Sequence, residues 1–141
     1  MNAWRGPHLE RLVAQVLRGK GYVVHKAIRS SHRRAGRYYS PGNDVFGCID
    51  VLAKRRGERM RYIQITSARS IAAKKRDLRA VPWDAEMESV EIWRWVEAKN
   101  NIASHFQIYR LEEDFAFDAG NRWYTPLRRG RARAKARQPE P

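Results

Sequence analysis

Apolar positions along the chain change period from one segment to the next. Leu9, Leu12, Val13, Val16 and Leu17 recur at three- and four-residue offsets, the spacing of one helical face, and predict a helix over residues 7–18. Pro7 suits its first turn, and Gly19 and Gly21 stop it. Residues 22–28 are β-branched and aromatic and predict a strand. Residues 48–54 and 60–66 predict two more, joined by Arg55-Arg56-Gly57-Glu58-Arg59, a hairpin-length connector with a central glycine, so the pair is expected to be antiparallel. Ser70 suits the cap of a helix running to about Ala80, after which Pro82 forbids continuation. Residues 90–96 and 106–111 predict two further strands, and the interval 97–104 fits either a short helical turn or a loop. Helix, strand, hairpin, helix, strand, strand describes an α/β domain with a central mixed β-sheet flanked by helices.

Two segments fall outside this pattern. Residues 29–43 carry Arg29, Arg33, Arg34, Arg37, Tyr38 and Tyr39 and close on Ser40-Pro41-Gly42-Asn43, which are turn formers, so a long basic loop is expected. Cations interleaved with aromatics are suited to gripping a phosphate backbone and stacking on unpaired bases. After Pro126, Arg128, Arg129, Arg131, Arg133, Lys135 and Arg137 alternate mainly with Gly and Ala. Such a segment has nothing to bury. The expected organisation is therefore a folded domain over residues 1–125 and a basic tail over residues 126–141.

Length and charge sharpen the picture. A chain of 141 residues fits one core. Its 29 Lys and Arg against 15 Asp and Glu give a net charge of +14, which favours a polyanionic partner, nucleic acid first, because each neutralised phosphate releases condensed counterions. An anionic membrane surface would call for a basic amphipathic helix with aromatics on its apolar face, and the sequence has none; nor does it have an apolar run of bilayer length. The start of the chain lacks the apolar stretch of a signal peptide, and a single cysteine, Cys48, makes no internal disulfide; both favour a reducing, cytoplasmic setting. The four histidines lack metal-ligand spacing, so zinc is not expected. Trp83, Trp93, Trp95 and Trp123 fit core or subunit contact, and Trp93 and Trp95, sharing a strand face, suit a dimer interface.

Candidate chemistry is concentrated in the hairpin. Centring it on Gly57 sets Lys54 against Met60, Leu52 against Tyr62 and Asp50 against Gln64. Alternation then places Asp50, Gln64 and Thr66 on one face and Ile49, Val51, Ile63 and Ile65 on the other, inside a core. Mg²⁺ takes six oxygens and needs only one or two protein carboxylates beside substrate phosphate and water. Asp50, the Gln64 side-chain oxygen and the Ile65 carbonyl would make such a partial shell, suited to phosphodiester hydrolysis. Glu10 borders the apolar stripe of the first helix, about 100° from Leu9, and looks past the core edge. In the second helix Ile71 and Leu78 mark the buried side, yet the positions three and four after Ile71 hold Lys74 and Lys75. A partly desolvated lysine there would stabilise charge on phosphate or orient the attacking water.

The run Asp44-Val45-Phe46-Gly47-Cys48-Ile49-Asp50-Val51-Leu52-Ala53, followed by Tyr62-Ile63-Gln64-Ile65-Thr66-Ser67, resembles the PD-(D/E)XK nuclease superfamily. It is most similar there to small phage and bacterial enzymes like the archaeal-type Holliday junction resolvases, over about residues 7–111. The resemblance implies a restriction-endonuclease-like core over residues 1–125 and a Mg²⁺- or Mn²⁺-dependent endonuclease. It further implies DNA substrates that include four-way junctions, a homodimer, and the cytoplasm of a bacterium, archaeon or phage-infected host. By that likeness Glu10 and Asp50 carry over as metal-site carboxylates and Gln64 as the third position. The departure is Thr66, where the family usually has lysine; Lys74 or Lys75 would be its substitute, and Asp44 would restore a carboxylate if residues 46–47 bend back. The competing expectation is a nucleic-acid-binding protein on the same fold without catalysis.

Overall fold

A computed structural model of the chain describes residues 5–27, 32–34, 37–39, 45–116 and 122–124. The first helix, α1 (Arg5–Gly19), buries Leu9, Val13, Val16 and Leu17, the stripe its periodicity demands. It ends as helices do when a glycine can turn left-handed. Gly21 has φ 90°, its N–H reaches the Arg18 carbonyl at 3.0 Å, and the Tyr22 N–H reaches the Leu17 carbonyl at 3.0 Å.

Beyond this stop run β1 (Val23–Lys26), β2 (His32–Arg34), β3 (Arg37–Tyr39), β4 (Val51–Lys54) and β5 (Met60–Thr66). After β5 come α2 (Ala72–Arg79), β6 (Glu88–Val96), β7 (His105–Arg110), a 3₁₀ turn at Leu111–Glu113 and β8 (Arg122–Tyr124). Six strands form one mixed sheet in the order β1-β4-β5-β6-β7-β8, all antiparallel neighbours except β5 and β6, which run parallel through the α2 crossover. The α/β expectation holds at this level.

The sheet is covered on both faces. On one, α1 packs with Val51, Ala53, Ile63, Ile65, Trp93, Phe106 and Ile108. On the other, Leu78 of α2 packs with Cys48, Ile49, Val90, Ile92 and Phe115. Burial of both faces explains why β5 and β6 carry apolar residues at adjacent positions, Tyr62 with Ile63 and Ile92 with Trp93, rather than in strict alternation. Among the described residues, no helix is long and apolar enough to cross a membrane.

Several expectations are corrected. The basic segment contains β2 and β3, which pair with each other in a separate two-stranded sheet, with Arg33 opposite Tyr38, so it is not simply a loop. A three-residue strand carries too short a pattern to register against its arginines. The open interval after β6 is a tight turn in which Lys99 and Ile102 bridge and Asn100 and Asn101 adopt φ of 51° and 69°, the left-handed pair of a two-residue hairpin. Trp93 is fully buried beneath α1 and meets Trp123 edge to face at 4.8 Å, so it does not supply a dimer surface; Trp95 is half-buried against Phe106. Ser70 accepts the Ala72 N–H at 3.2 Å, but Ile71 occupies the cap position. β8 was not expected from the sequence, and the tail over residues 126–141 lies outside the described residues.

Candidate metal centre beyond the central hairpin

The turn leading into β4 sets the geometry. Val45 and Ile49 exchange backbone hydrogen bonds of 3.0 and 2.9 Å around Phe46 and Gly47, whose φ values are 55° and 74°. Glycine reaches this region freely, whereas Phe46 does so against its own Cβ. On leaving the turn the Asp50 N–H donates to the Ile63 carbonyl at 2.9 Å, although Ile63 is already the register partner of Val51. Two residues therefore stand against one, a β-bulge at Asp50.

This bulge overturns part of the expected facing. The Leu52–Tyr62 register holds, but the ladder ends at Val51 opposite Ile63, and Asp50 is not a paired partner of Gln64. Ile49 packs on the α2 side and Val51 on the α1 side, so the two-residue alternation breaks between them. Ile63 and Ile65 keep their expected place against α1.

The bulge gives Asp50 a different route to the same neighbourhood. Its carbonyl accepts the Ala27 N–H at 2.8 Å, and its carboxylate Oδ2 accepts the Ile65 N–H at 2.8 Å. The carboxylate thus replaces the ladder partner that β4 no longer supplies. Within an extended strand the N–H and C=O of one residue point to the same side, so the Ile65 carbonyl looks toward the edge where Asp50 sits. Gln64, next to it, turns toward the α2 face with Tyr62 and is 5% exposed. Its Oε1 is buried and has no hydrogen-bond partner. A buried acceptor left unpaired costs on the order of 1–3 kcal/mol. That atom has the capacity to accept a donor or a cation.

The other expected residues divide into three groups. Glu10 is buried on α1, hence over the face opposite Gln64. Lys74 and Lys75 are half-buried between Ile71 and Leu78, on the stripe of α2 turned toward the sheet, the face that Gln64 shares. Thr66 is buried, and its hydroxyl accepts the Ala68 N–H at 3.1 Å, closing the end of β5 as a local turn. Arg33, Arg34, Arg37, Tyr38 and Tyr39 belong to β2 and β3. Arg29, Asp44, Arg128, Arg129 and Arg131 lie outside the described residues.

Mg²⁺ prefers oxygen donors, and Asp50, Glu10, the Gln64 amide oxygen and the Ile65 carbonyl are all of that kind. Among the described residues no three His, Cys, Asp or Glu side chains gather as a metal-holding group. A centre here therefore relies on amide and backbone oxygen, and the orphaned Gln64 Oε1 suits that role.

A second polar cluster at the opposite end of β5 was missed from the sequence. The Arg61 guanidinium grips Glu91 through Nε (2.8 Å) and Nη2 (2.6 Å), with both side chains buried. Ser89 and Trp93 also donate to Glu91, at 2.8 and 2.9 Å, and Arg61 reaches the Tyr22 hydroxyl at 3.2 Å. Burial opposes the charge of Arg61, but the hydrogen bonds and charge of Glu91 outweigh it and hold its pKa above the ordinary value. Tyr22 donates to Glu58 at 2.5 Å and Arg55 Nε donates at 2.6 Å; these bonds lower the Glu58 pKa. A cavity of about 460 Å³ opens beside this network. The available signal was one cation and one anion, each with apolar residues on both sides, Met60 and Tyr62 for Arg61 and Val90 and Ile92 for Glu91. Comparison with family models, with curated proteins and with solved structures finds no match for the chain.

Proposed function

We propose that the chain is a Mg²⁺- or Mn²⁺-dependent endonuclease that hydrolyses DNA phosphodiester bonds, on a restriction-endonuclease-like core, with four-way and other branched junctions as its substrate class. Support comes first from one observation: Gln64, whose buried Oε1 has no hydrogen-bond partner, immediately precedes Ile65, whose N–H fixes the Asp50 carboxylate. The antiparallel run β1-β4-β5 after α1, with β6 parallel to β5 through α2, supports the same reading. The net charge of +14 favours a nucleic-acid partner.

In this reading Asp50, Gln64 Oε1 and the Ile65 carbonyl would hold the ion, and Glu10, which α1 sets over the opposite face of the sheet, would not be among its ligands. A bound Mg²⁺ supplies Lewis-acid stabilisation of phosphate charge and activation of water. The Ile65 N–H holds the carboxylate of Asp50 in one orientation, so little reorganisation remains when substrate arrives. Lys74 or Lys75 supplies the amine near phosphate that Thr66, engaged with Ala68, does not. Two copies of the chain, as a homodimer, would cut the two strands of a symmetric junction.

The test pairs a synthetic four-way junction and a linear duplex with Mg²⁺, Mn²⁺ or EDTA, for the wild type and D50N. Metal-dependent nicks that disappear in a folded, DNA-binding D50N are the expected result. Binding without nicks under every condition would leave a non-catalytic nucleic-acid binder, the reading that Thr66 in place of a lysine favours.

A further inference from the structure

The parallel pairing of β5 with β6 sets Arg94 directly beside Thr66, about 4.8 Å away across the strands, and Gln64 beside Ile92. Ile92 belongs to the α2-side core, so Arg94, two residues on along the same strand, lies on the face that carries Gln64. Both residues lie toward the carboxyl ends of the parallel pair, where open α/β sheets commonly bind ligands.

Arg94 differs from the arginines of the described residues that pair with acids. Arg55, Arg59, Arg61 and Arg79 each pair with a carboxylate, Glu58, Glu112, Glu91 and Asp114 respectively. Arg94 is half-buried, yet its partner is neutral: Nη2 donates to Gln107 Oε1 at 2.8 Å. The Tyr109 hydroxyl donates to the same oxygen at 2.7 Å and so fixes the amide. Among the described residues no carboxylate pairs with Arg94. One of five guanidinium donors is used, and the group is aimed by a tethered amide rather than neutralised. A planar cation held this way matches a phosphate, which accepts two parallel N–H bonds.

We infer that Arg94, positioned by Gln107 and Tyr109 beside the end of β5, is a binding subsite for a backbone phosphate of nucleic acid. The inference deepens the endonuclease reading and rests on it for the role of the site in cutting. The strand neighbour of Thr66 thus carries the fixed positive charge that Thr66 lacks. The planar fork of N–H donors on Arg94 serves to hold the substrate phosphate.

Affinity for a labelled four-way junction is measured in EDTA across a salt series for wild type, R94Q and R94K, with cleavage in Mg²⁺ and thermal midpoints in parallel. R94Q is expected to make the log–log salt slope shallower by about 0.9, the value of one phosphate contact. It is expected to slow cleavage roughly a hundredfold, as loss of one aimed donor does. R94K should restore the slope and only part of the rate, because lysine keeps the charge and loses the fork. A wild-type slope in folded R94Q overturns the subsite. If R94Q does not fold, Q107L frees the guanidinium while keeping its charge; slower cleavage at an unchanged slope supports the inference, and unchanged cleavage contradicts it. Should the wild type cut nothing while R94Q still flattens the slope, the endonuclease reading fails and the phosphate subsite stands. Should the wild type cut and R94Q match it in slope and rate, the subsite fails and the endonuclease reading stands.

Discussion

The two ends of β5 carry polar side chains into the same sheet and treat them in opposite ways. At the Arg61 end every charge is answered: Glu91 accepts from Arg61, Ser89 and Trp93, and Arg61 also reaches Tyr22. At the Gln64 end a buried amide oxygen has no partner, and the cation on the adjoining strand, Arg94, meets an amide instead of a carboxylate. Closed networks hold a fold in one arrangement, and an incomplete one leaves bonding capacity for a ligand. Burial alone does not separate these cases, since Glu91 and Gln64 are both sequestered. The state of their hydrogen bonds does.

The largest effect expected from this difference is at the closed end. Arg61→Met leaves the buried Glu91 carboxylate without its counter-charge and should cost about 3–5 kcal/mol, read as a lower denaturant midpoint at unchanged slope. Replacing both partners by apolar residues, R61M with E91L, should recover most of that loss, because the desolvation of two ions is then avoided. A double variant as unstable as R61M would show that the pair contributes more than mutual compensation.

The open end should respond with the other sign. Gln64→Met removes the orphaned acceptor at similar volume and is expected to stabilise the metal-free protein by about 1–3 kcal/mol while abolishing metal-dependent cleavage. Added Mg²⁺ or Mn²⁺ should raise the wild-type melting temperature and leave that of Q64M unchanged. A destabilised Q64M would mean that Oε1 is satisfied in solution and that the two ends of β5 are alike in this respect.

How far the sequence reached follows the same division. The α1 stripe, the Leu52–Tyr62 register and the end of α2 before Pro82 were legible because local rules decide them: helical spacing, a glycine-centred connector, a missing N–H. The bulge at Asp50 was not, because strict alternation is all a sequence offers and the left-handed pair Phe46 and Gly47 redirects the chain just before it. Asp50 and Gln64 were singled out by type and proximity, yet what joins their surroundings is a carboxylate on the Ile65 N–H, not a cross-strand pair. Arg61 and Glu91 meet through a parallel pairing that depends on the α2 crossover, and nothing local announces which strand lies beside which. For the same reason Arg94, placed next to Thr66 only by that pairing, stood out from no other arginine.

The smallest effect concerns the exposed rim of the closed end and has a definite pH signature. Hydrogen bonds from Tyr22 first and Arg55 second hold the Glu58 carboxyl below its ordinary value of 4.5. A carboxylate depressed on folding contributes stability that is present above its unfolded pKa and is lost as the pH falls through the folded one. Glu58→Gln should therefore be slightly less stable than the wild type at neutral pH, by an amount that stays constant down to about pH 4.5 and then shrinks. Urea unfolding of both proteins from pH 7 to pH 3 measures that convergence. Because Glu58 is solvent-exposed, salt should shrink the gap as well, whereas the destabilisation caused by R61M, set inside the sheet, should hardly respond to salt. Equal salt sensitivity at the two positions would mean that Arg61 and Glu91 are screened by water as the rim is, and the closed end would lose the dryness on which its contrast with Gln64 depends.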